Sequence, residues 1–274
     1  MSTREGVTIT ESGIETMNEA NVIDVSSVLF GFLAENAQRN RFSTVLNKKL
    51  KEKSINGMCI PMNIREDDIY FTISNMKDSK LNGAQIGAEY QKMAVELLDE
   101  CSQEVTDLGF CDIITIKDKK LIGDISVGKA IASLLNDKNC KKIAVYGSGS
   151  LARSIMKHIE ESHVNEIVLF NDRVESCMEM MQAEAATLKD INMDIERVSE
   201  NSPIDVTSYD AYINTTPQPS ILIGLKKDQL VIDLIENESL KSNANKIGAE
   251  LINTNTINTK LTDISFDIWT KKEK

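Results

Sequence analysis

KKIAVYGSGSLARSIMKHIEESHVNEIVLFNDR, Lys141 to Arg173, is the stretch whose reading decides the fold. Ile143, Ala144, Val145 and Tyr146 form a short apolar run of strand length. Gly147-Ser148-Gly149-Ser150-Leu151-Ala152 follows in the form G-x-G-x-x-A, and an amphipathic helical segment carries on through His158. A second apolar run, Ile167 to Phe170, ends in the polar cluster Asn171-Asp172-Arg173. Each small residue has a separate use at such a bend. Gly147 permits the tight turn, Gly149 lets a ligand come close to the backbone, and Ala152 lets the helix pack on the strand.

Strand, small-residue bend, helix and second strand in this order predict a Rossmann-type dinucleotide-binding unit. The first amides of the helix are free of intrahelical partners and sit at the positive end of its dipole, which suits a pyrophosphate. Gly147, Ser148, Gly149, Ser150, Leu151 and Ala152 are therefore the expected cofactor contacts. Asn171, Asp172 and Arg173 fall about 23 residues beyond Gly149, where such folds meet the adenosine ribose. Asp172 suits the free 2′-hydroxyl of NAD and Arg173 the 2′-phosphate of NADP; NAD is slightly favoured and both stay open.

Downstream, the alternation continues. A helix is expected over Glu175 to Leu188, then strands at MDIERV, Ala211 to Thr216, Leu230 to Ile235 and ELINTNTI. Upstream, VLFGFL (Val28 to Leu33) and GMCIPMNI (Gly57 to Ile64) read as strands, with a helix between them through Leu46 and Leu50. A helix opened by Glu66 to Asp68, an apolar segment at Ala84 to Ile86 and a helix over Gln91 to Glu100 follow. CDIITIKDKKLIGD predicts a hairpin turning at Asp118-Lys119, and Val127 to Leu135 a helix. The domain expectation is an extension over 1–26, a substrate-binding α/β domain over 27–126 completed by 258–274, and a doubly wound dinucleotide-binding domain over 127–257.

Composition sets the outer bounds. The 274 residues, 41% hydrophobic and 27% charged, suit a folded chain of one large or two modest domains. Thirty-one Lys and Arg against 42 Asp and Glu give a net charge of −11, which repels a nucleic-acid backbone. No apolar run reaches the length of a membrane span and the polar N-terminus lacks a secretory pattern, so a cytoplasmic protein with no membrane partner is expected. The five cysteines contain no CxxC pair, which predicts reduced thiols and no metal site. His158 and His163 are expected on the surface.

The order of elements and several motifs resemble the shikimate and quinate dehydrogenase family over roughly residues 28 to 270. GSGSLARSI is similar to the family's glycine loop, IVLFNDR to its ribose-site strand, INTTP to its nicotinamide-side stretch, VIDLI to its Val-Val-Asp strand and FDIWT to its last helix. The resemblance implies an N-terminal α/β substrate domain, a C-terminal cofactor domain binding NAD or NADP, and a final helix returning to the first domain. It also implies that Thr215, Thr216 and Pro217 border the nicotinamide.

The substrate half departs from the family pattern. An ungapped count from LLDE puts Gln91 at the family's catalytic lysine, and one shift puts Lys92 there; both stay open. Val127 falls at the partner aspartate, Asp112 at the family's asparagine, and Asp124 lies three residues before Val127. A valine exchanges no proton, so the usual Lys/Asp pair is lost and Lys92, Asp112 and Asp124 are the candidate catalytic groups. Candidate substrate contacts are Arg39, Arg41 and Ser43 in the loop after the first strand, with Gln85, Tyr90, Gln91 and Ser126. The two arginines suggest an anionic small molecule. Two functions remain: a divergent NAD(P)-dependent oxidoreductase whose substrate need not be shikimate, or a non-catalytic NAD(P)-binding sensor or assembly protein. Oligomeric state is open, a homodimer included.

Overall fold

The computed structural model describes residues 27–199 and 202–270. The extension expected over 1–26 lies outside the described residues. In chain order the first half contains β1 (Val28–Ala34), α1 (Phe42–Glu52), β2 (Gly57–Asn63), α2 (Ile69–Met76), β3 (Leu81–Ile86), α3 (Gln91–Val95), β4 (Glu100–Cys101), α4 (Gln103–Leu108), β5 (Ile113–Lys117) and β6 (Lys120–Asp124). Its sheet has the order β2-β1-β3-β5-β6-β4. β1 runs parallel to β2 and β3, whereas β5 is antiparallel to β3 and β6. Asp118 (φ 50°) and Lys119 (φ 60°) take the two left-handed positions of the tight turn that joins β5 to β6.

The second half contains α5 (Val127–Asp137), β7 (Lys142–Tyr146), α6 (Ser150–His158), β8 (Glu166–Asn171), α7 (Val174–Ala183), α8 (Ala185–Leu188), β9 (Asn192–Arg197), β10 (Pro203–Asp205), β11 (Ala211–Asn214), β12 (Ile221–Ile223), β13 (Leu230–Asp233), α9 (Glu238–Ile247) and β14 (Glu250–Ile252). Its six-stranded sheet, β14-β13-β11-β7-β8-β9, is parallel throughout. This is the doubly wound order expected from the glycine motif, and it reverses between β7 and β11. The central strands β7, β11 and β13 are almost wholly buried, as expected where helices cover both faces, whereas the edge strand β9 is polar and largely exposed.

Chain order ends with α10 (Asn258–Thr270), which lies against the first sheet. The Trp269 indole stacks on Phe30 with ring centroids 4.3 Å apart and donates from Nε1 to the carbonyl of Ile114 at 3.1 Å. Lys49 of α1 pairs with Asp263, and Lys260 pairs with Asp137 of α5, so α10 ties both halves together. The expected return of the last helix is thus present.

Three local expectations are corrected. The helix over Gln91 to Glu100 stops at Val95, because Asp99 and Glu100 leave it to bond with Leu121 and pair with Ile122 of β6. The helix over Glu175 to Leu188 breaks at Glu184, whose buried carboxylate is drawn to Lys157 at 3.3 Å and Arg153 at 3.6 Å. The strand over Ala211 to Thr216 leaves the ladder after Asn214, and the two-stranded pair of β10 and β12 was not anticipated.

Candidate functional site

The glycine bend is shaped by steric exclusion. Gly147 follows β7 with φ +104°, and a Cβ there would meet Thr215 Oγ1 at 2.6 Å. Only glycine fits both the dihedral and the space. Gly149 is the reverse: a Cβ added there would have no heavy atom within 4 Å, so the backbone faces open ground as α6 begins. A pyrophosphate needs this access to the first helical amides, and the residues present fit such a group. Ala152 is fully buried where α6 packs on the core.

Side chains fix the bend from several sides. Ser148 Oγ lies 2.7 Å from Ser176 Oγ and accepts from Asn171 Nδ2 at 2.7 Å. Ser150 donates to the carbonyl of Leu108 at 2.8 Å, tying the start of α6 to α4. Thr215 donates from both its amide and its hydroxyl to the carbonyl of Tyr146, at 2.9 and 2.7 Å. Thr216 lies partly open beside the bend and Pro217 is exposed. Asn171 is buried at the end of β8, with Asp172 and Arg173 exposed just after it.

A cavity of about 340 Å³ opens beside the start of α6. One wall comes from the second half through Ser150, Leu151, Leu234 and Ile235, at the carboxyl ends of β7 and β13. The facing wall comes from the first half through Phe32, Gln85, Glu89, Gln91, Lys92, Phe110 and Asp112, and Asn258 and Leu261 of α10 close it. Its exposed surface is mostly apolar although nine of its 21 lining residues are polar or charged, a mixture that suits a small-molecule site.

Asp112 is 1% exposed and lies on this wall. Its Oδ1 accepts from the Ser126 amide at 2.6 Å, and its Oδ2 accepts from the Ser126 hydroxyl at 3.1 Å and the Val127 amide at 2.9 Å. Burial pushes the carboxyl up to about 7 against the opposing pull of these three donors. Behind it a polar chain continues: Gln85 donates to Ser126 Oγ at 3.3 Å and accepts from Ser265 of α10 at 2.9 Å. Val127, at the first position of α5, also lines the cavity.

Of the residues expected from sequence, the cavity wall gathers Gln85, Gln91, Lys92, Asp112, Ser150 and Leu151. Lys92 is exposed at its edge, and Gln91 turns its amide to the carbonyl of Ile86 at 3.2 Å. Other candidates lie off the wall. Arg39 and Arg41 are exposed, and Ser43 is not in a loop but in the first turn of α1, where it is buried and accepts from Cys59 Sγ at 3.4 Å. Tyr90 is buried and spends its hydroxyl on the carbonyl of Ile64 at 2.6 Å. Asp124 pairs with Lys129 at 3.3 Å, and the buried Ser126 donates its hydroxyl to Asp112. Asn40, Glu89, Phe110 and Asn258 line the cavity without having been singled out. GAEYQK offered Glu89 beside Gln91, but nothing local marks Asn258, which reaches the wall only through the return of α10.

His163 is exposed as expected, whereas His158 is not a plain surface residue. Its Nε2 lies 2.8 Å from Glu104 and its Nδ1 3.3 Å from Glu161. Among the described residues no group of three or more His, Cys, Asp and Glu could hold a metal, and no helix is long and apolar enough to cross a membrane. All five cysteines are free thiols.

No family model matches the chain. It is similar to the shikimate dehydrogenase (NADP(+)) of Clostridium perfringens, 26% identical over 222 residues that cover 76% of this chain and 79% of the relative. The corresponding protein of Alkaliphilus oremlandii is 23% identical over 269 residues, covering 91% and 94%. Among solved structures, shikimate 5-dehydrogenase from Listeria monocytogenes, in complex with shikimate and NAD, superposes with a TM-score of 0.65 at 17% identity, covering 92% and 94%.

Proposed function

From a fold shared with the shikimate dehydrogenases, we infer that this chain is a divergent NAD(P)-dependent oxidoreductase acting on a small molecule in the cavity between its two sheets. The observation that carries this is the juxtaposition of a sterically open Gly149 at the start of α6 with a cavity walled by both halves. Gly147 to Ala152 would hold the pyrophosphate, Asn171 to Arg173 the adenosine ribose, and Thr215 to Pro217 the nicotinamide side. Relatives whose names carry NADP(+) and a structural neighbour bound to NAD support a nicotinamide without choosing between the two. The division at residues 126 and 127, with 258–274 completing the first domain, belongs to the same proposal.

The cofactor, when bound, supplies hydride exchange. The chain's own residues orient the substrate and handle charge. Val127, on the wall where the family resemblance implies an aspartate, supports the loss of that pair, while Gln91 and Lys92, the two alternatives for the lysine position, both line the cavity. Lys92 and Asp112 are the candidate groups from the sequence that lie on the wall, and Asp124, engaged with Lys129, is the weaker candidate. The anionic substrate suggested by Arg39 and Arg41 draws its support here from Lys92, since both arginines lie off the wall. The non-catalytic alternative is favoured by Val127 alone.

Titration of NADH and NADPH fluorescence against the wild type and Gly149→Trp tests the cofactor site. The wild type is expected to bind at least one nucleotide. The variant should lose affinity about a hundredfold, worth about 2.7 kcal/mol, with its circular dichroism unchanged because Gly149 faces open ground. Equal affinity in the two proteins overturns the placement.

A further inference from the structure

Asp112 is a nearly dry carboxylate among neutral donors. It takes part in no ion pair among the described residues, and everything bonded to it is an amide or hydroxyl hydrogen from Ser126 and Val127. All three groups donate, so the arrangement suits an ionised carboxylate, which accepts at about four lone-pair sites and keeps one of them free on Oδ1. A buried anion without a cation is costly, and the remedies are a proton or a positive ligand. The nearby Asp124 carboxylate adds to the cost, although Lys129 partly neutralises it. Cys111, beside Asp112, is held firmly as the neutral thiol by its burial.

The lining of the cavity also carries both signs of charge. Asp112, 1% exposed, and Lys92, exposed, both line it, as does Glu89, whose carboxylate already accepts from the Glu35 amide at 2.6 Å. Phe110, Val127 and Leu151 give the same cavity apolar surface. Such a lining matches a compact apolar ring or chain that carries both a positive nitrogen and a carboxylate.

We propose that the cavity recognises a cationic nitrogen through Asp112, and that the substrate class is an amino or imino acid whose carboxylate is met by Lys92. The assignment rests on the oxidoreductase reading above. In the reducing direction a protonated imine would donate its N–H to Asp112, and a bound dihydronicotinamide would supply the hydride for the new C–H bond. The C=N π pair would become the nitrogen lone pair, leaving a neutral amine and oxidised nicotinamide. No protein base is needed, in keeping with Val127 on the wall. The carboxylate stabilises positive charge on nitrogen and is not required to transfer a proton.

The test is calorimetric and uses the cofactor-free protein, so that it fails or succeeds separately from the nicotinamide titration. Piperidine-2-carboxylate, with a ring ammonium, is compared with cyclohexanecarboxylate, its carbon analogue. Above the Asp112 value of about 7 the ammonium ligand is expected to bind at least about tenfold tighter, the scale of one charge-assisted bond. Below that value Asp112 takes up its proton and the preference should shrink, whereas the ring ammonium of the ligand keeps its charge there. In Asp112→Asn the preference should vanish with nicotinamide affinity retained. If that variant fails to fold, the wild-type pair decides. Equal or tighter binding of cyclohexanecarboxylate, or no binding of the ammonium ligand, overturns the inference. So does a preference that is unchanged across the pH range.

Discussion

The two sheets of this protein border the candidate site with different kinds of atoms. The parallel sheet offers backbone: at the end of β7 the chain bends through Gly147 and exposes the first amides of α6 beside a Gly149 with nothing opposite it. The mixed sheet offers side chains, with Gln85, Gln91 and Asp112 arriving from separate segments and Asn258 from the far end of the chain. A backbone site needs only small residues at fixed spacing. A side-chain site needs correct packing of elements distant in sequence, and it can change its chemistry through one substitution while the sheet stays intact.

This contrast can be broken most forcefully at Gly147. Valine there would have to accept a φ of +104° and a Cβ 2.6 Å from Thr215 Oγ1. We expect a loss of about 3 kcal/mol in urea unfolding, along with nicotinamide binding, while the Phe30–Trp269 contact in the other half is untouched. A stability loss below about 1 kcal/mol would show that the bend tolerates side chains and that steric exclusion does not define it.

Trp269→Ala probes the opposite half. The half-buried indole would lose its stacking on Phe30 and leave the Ile114 carbonyl without its donor. A loss of about 2 kcal/mol is expected, with nicotinamide affinity nearly unchanged because the glycine bend is built separately. A matching fall in nicotinamide affinity would mean that the two regions are less independent than their construction suggests.

The smallest effect is expected where the halves are clamped. Burial alone would lower the His158 imidazole, but its bonds to Glu104 and Glu161 outweigh this and hold it above its ordinary value of 6.5. A raised folded-state value means that the histidine contributes stability fully below about 6.5 and loses it as pH rises through the folded value. The difference in melting temperature between wild type and His158→Gln should therefore shrink as pH rises from below 6.5 toward alkaline values. A difference that is constant with pH would assign the contact to packing rather than charge.

Much of the fold was legible because its signals are local. The doubly wound sheet follows from the alternation around Gly147, and the turn at Asp118-Lys119 follows from a polar break between two short apolar runs, with Asp118 suited to left-handed backbone. Failures arose where a distant partner intervened. The helix from Gln91 ends early because Asp99 bonds across to Leu121, and the helix after Glu175 breaks where Glu184 turns toward the cations of α6. The brief pairing of Pro203–Asp205 with Ile221–Ile223 leaves too short an apolar signature to stand out.

The candidate site divides along the same line. Spacing and size along one stretch of chain determined the glycine bend, since a positive φ at Gly147 and unpaired amides at a helix start are local backbone properties, whereas the Cβ exclusion by Thr215 is tertiary. Tertiary packing alone decided that Tyr90 and Ser43 serve the interior, that Arg39 and Arg41 stand outside the cavity, and that Glu89 and Asn258 line it. It also decided the state of Asp112, because the carboxyl is pushed up by removal from water, and burial is a property of the assembled walls rather than of the residue.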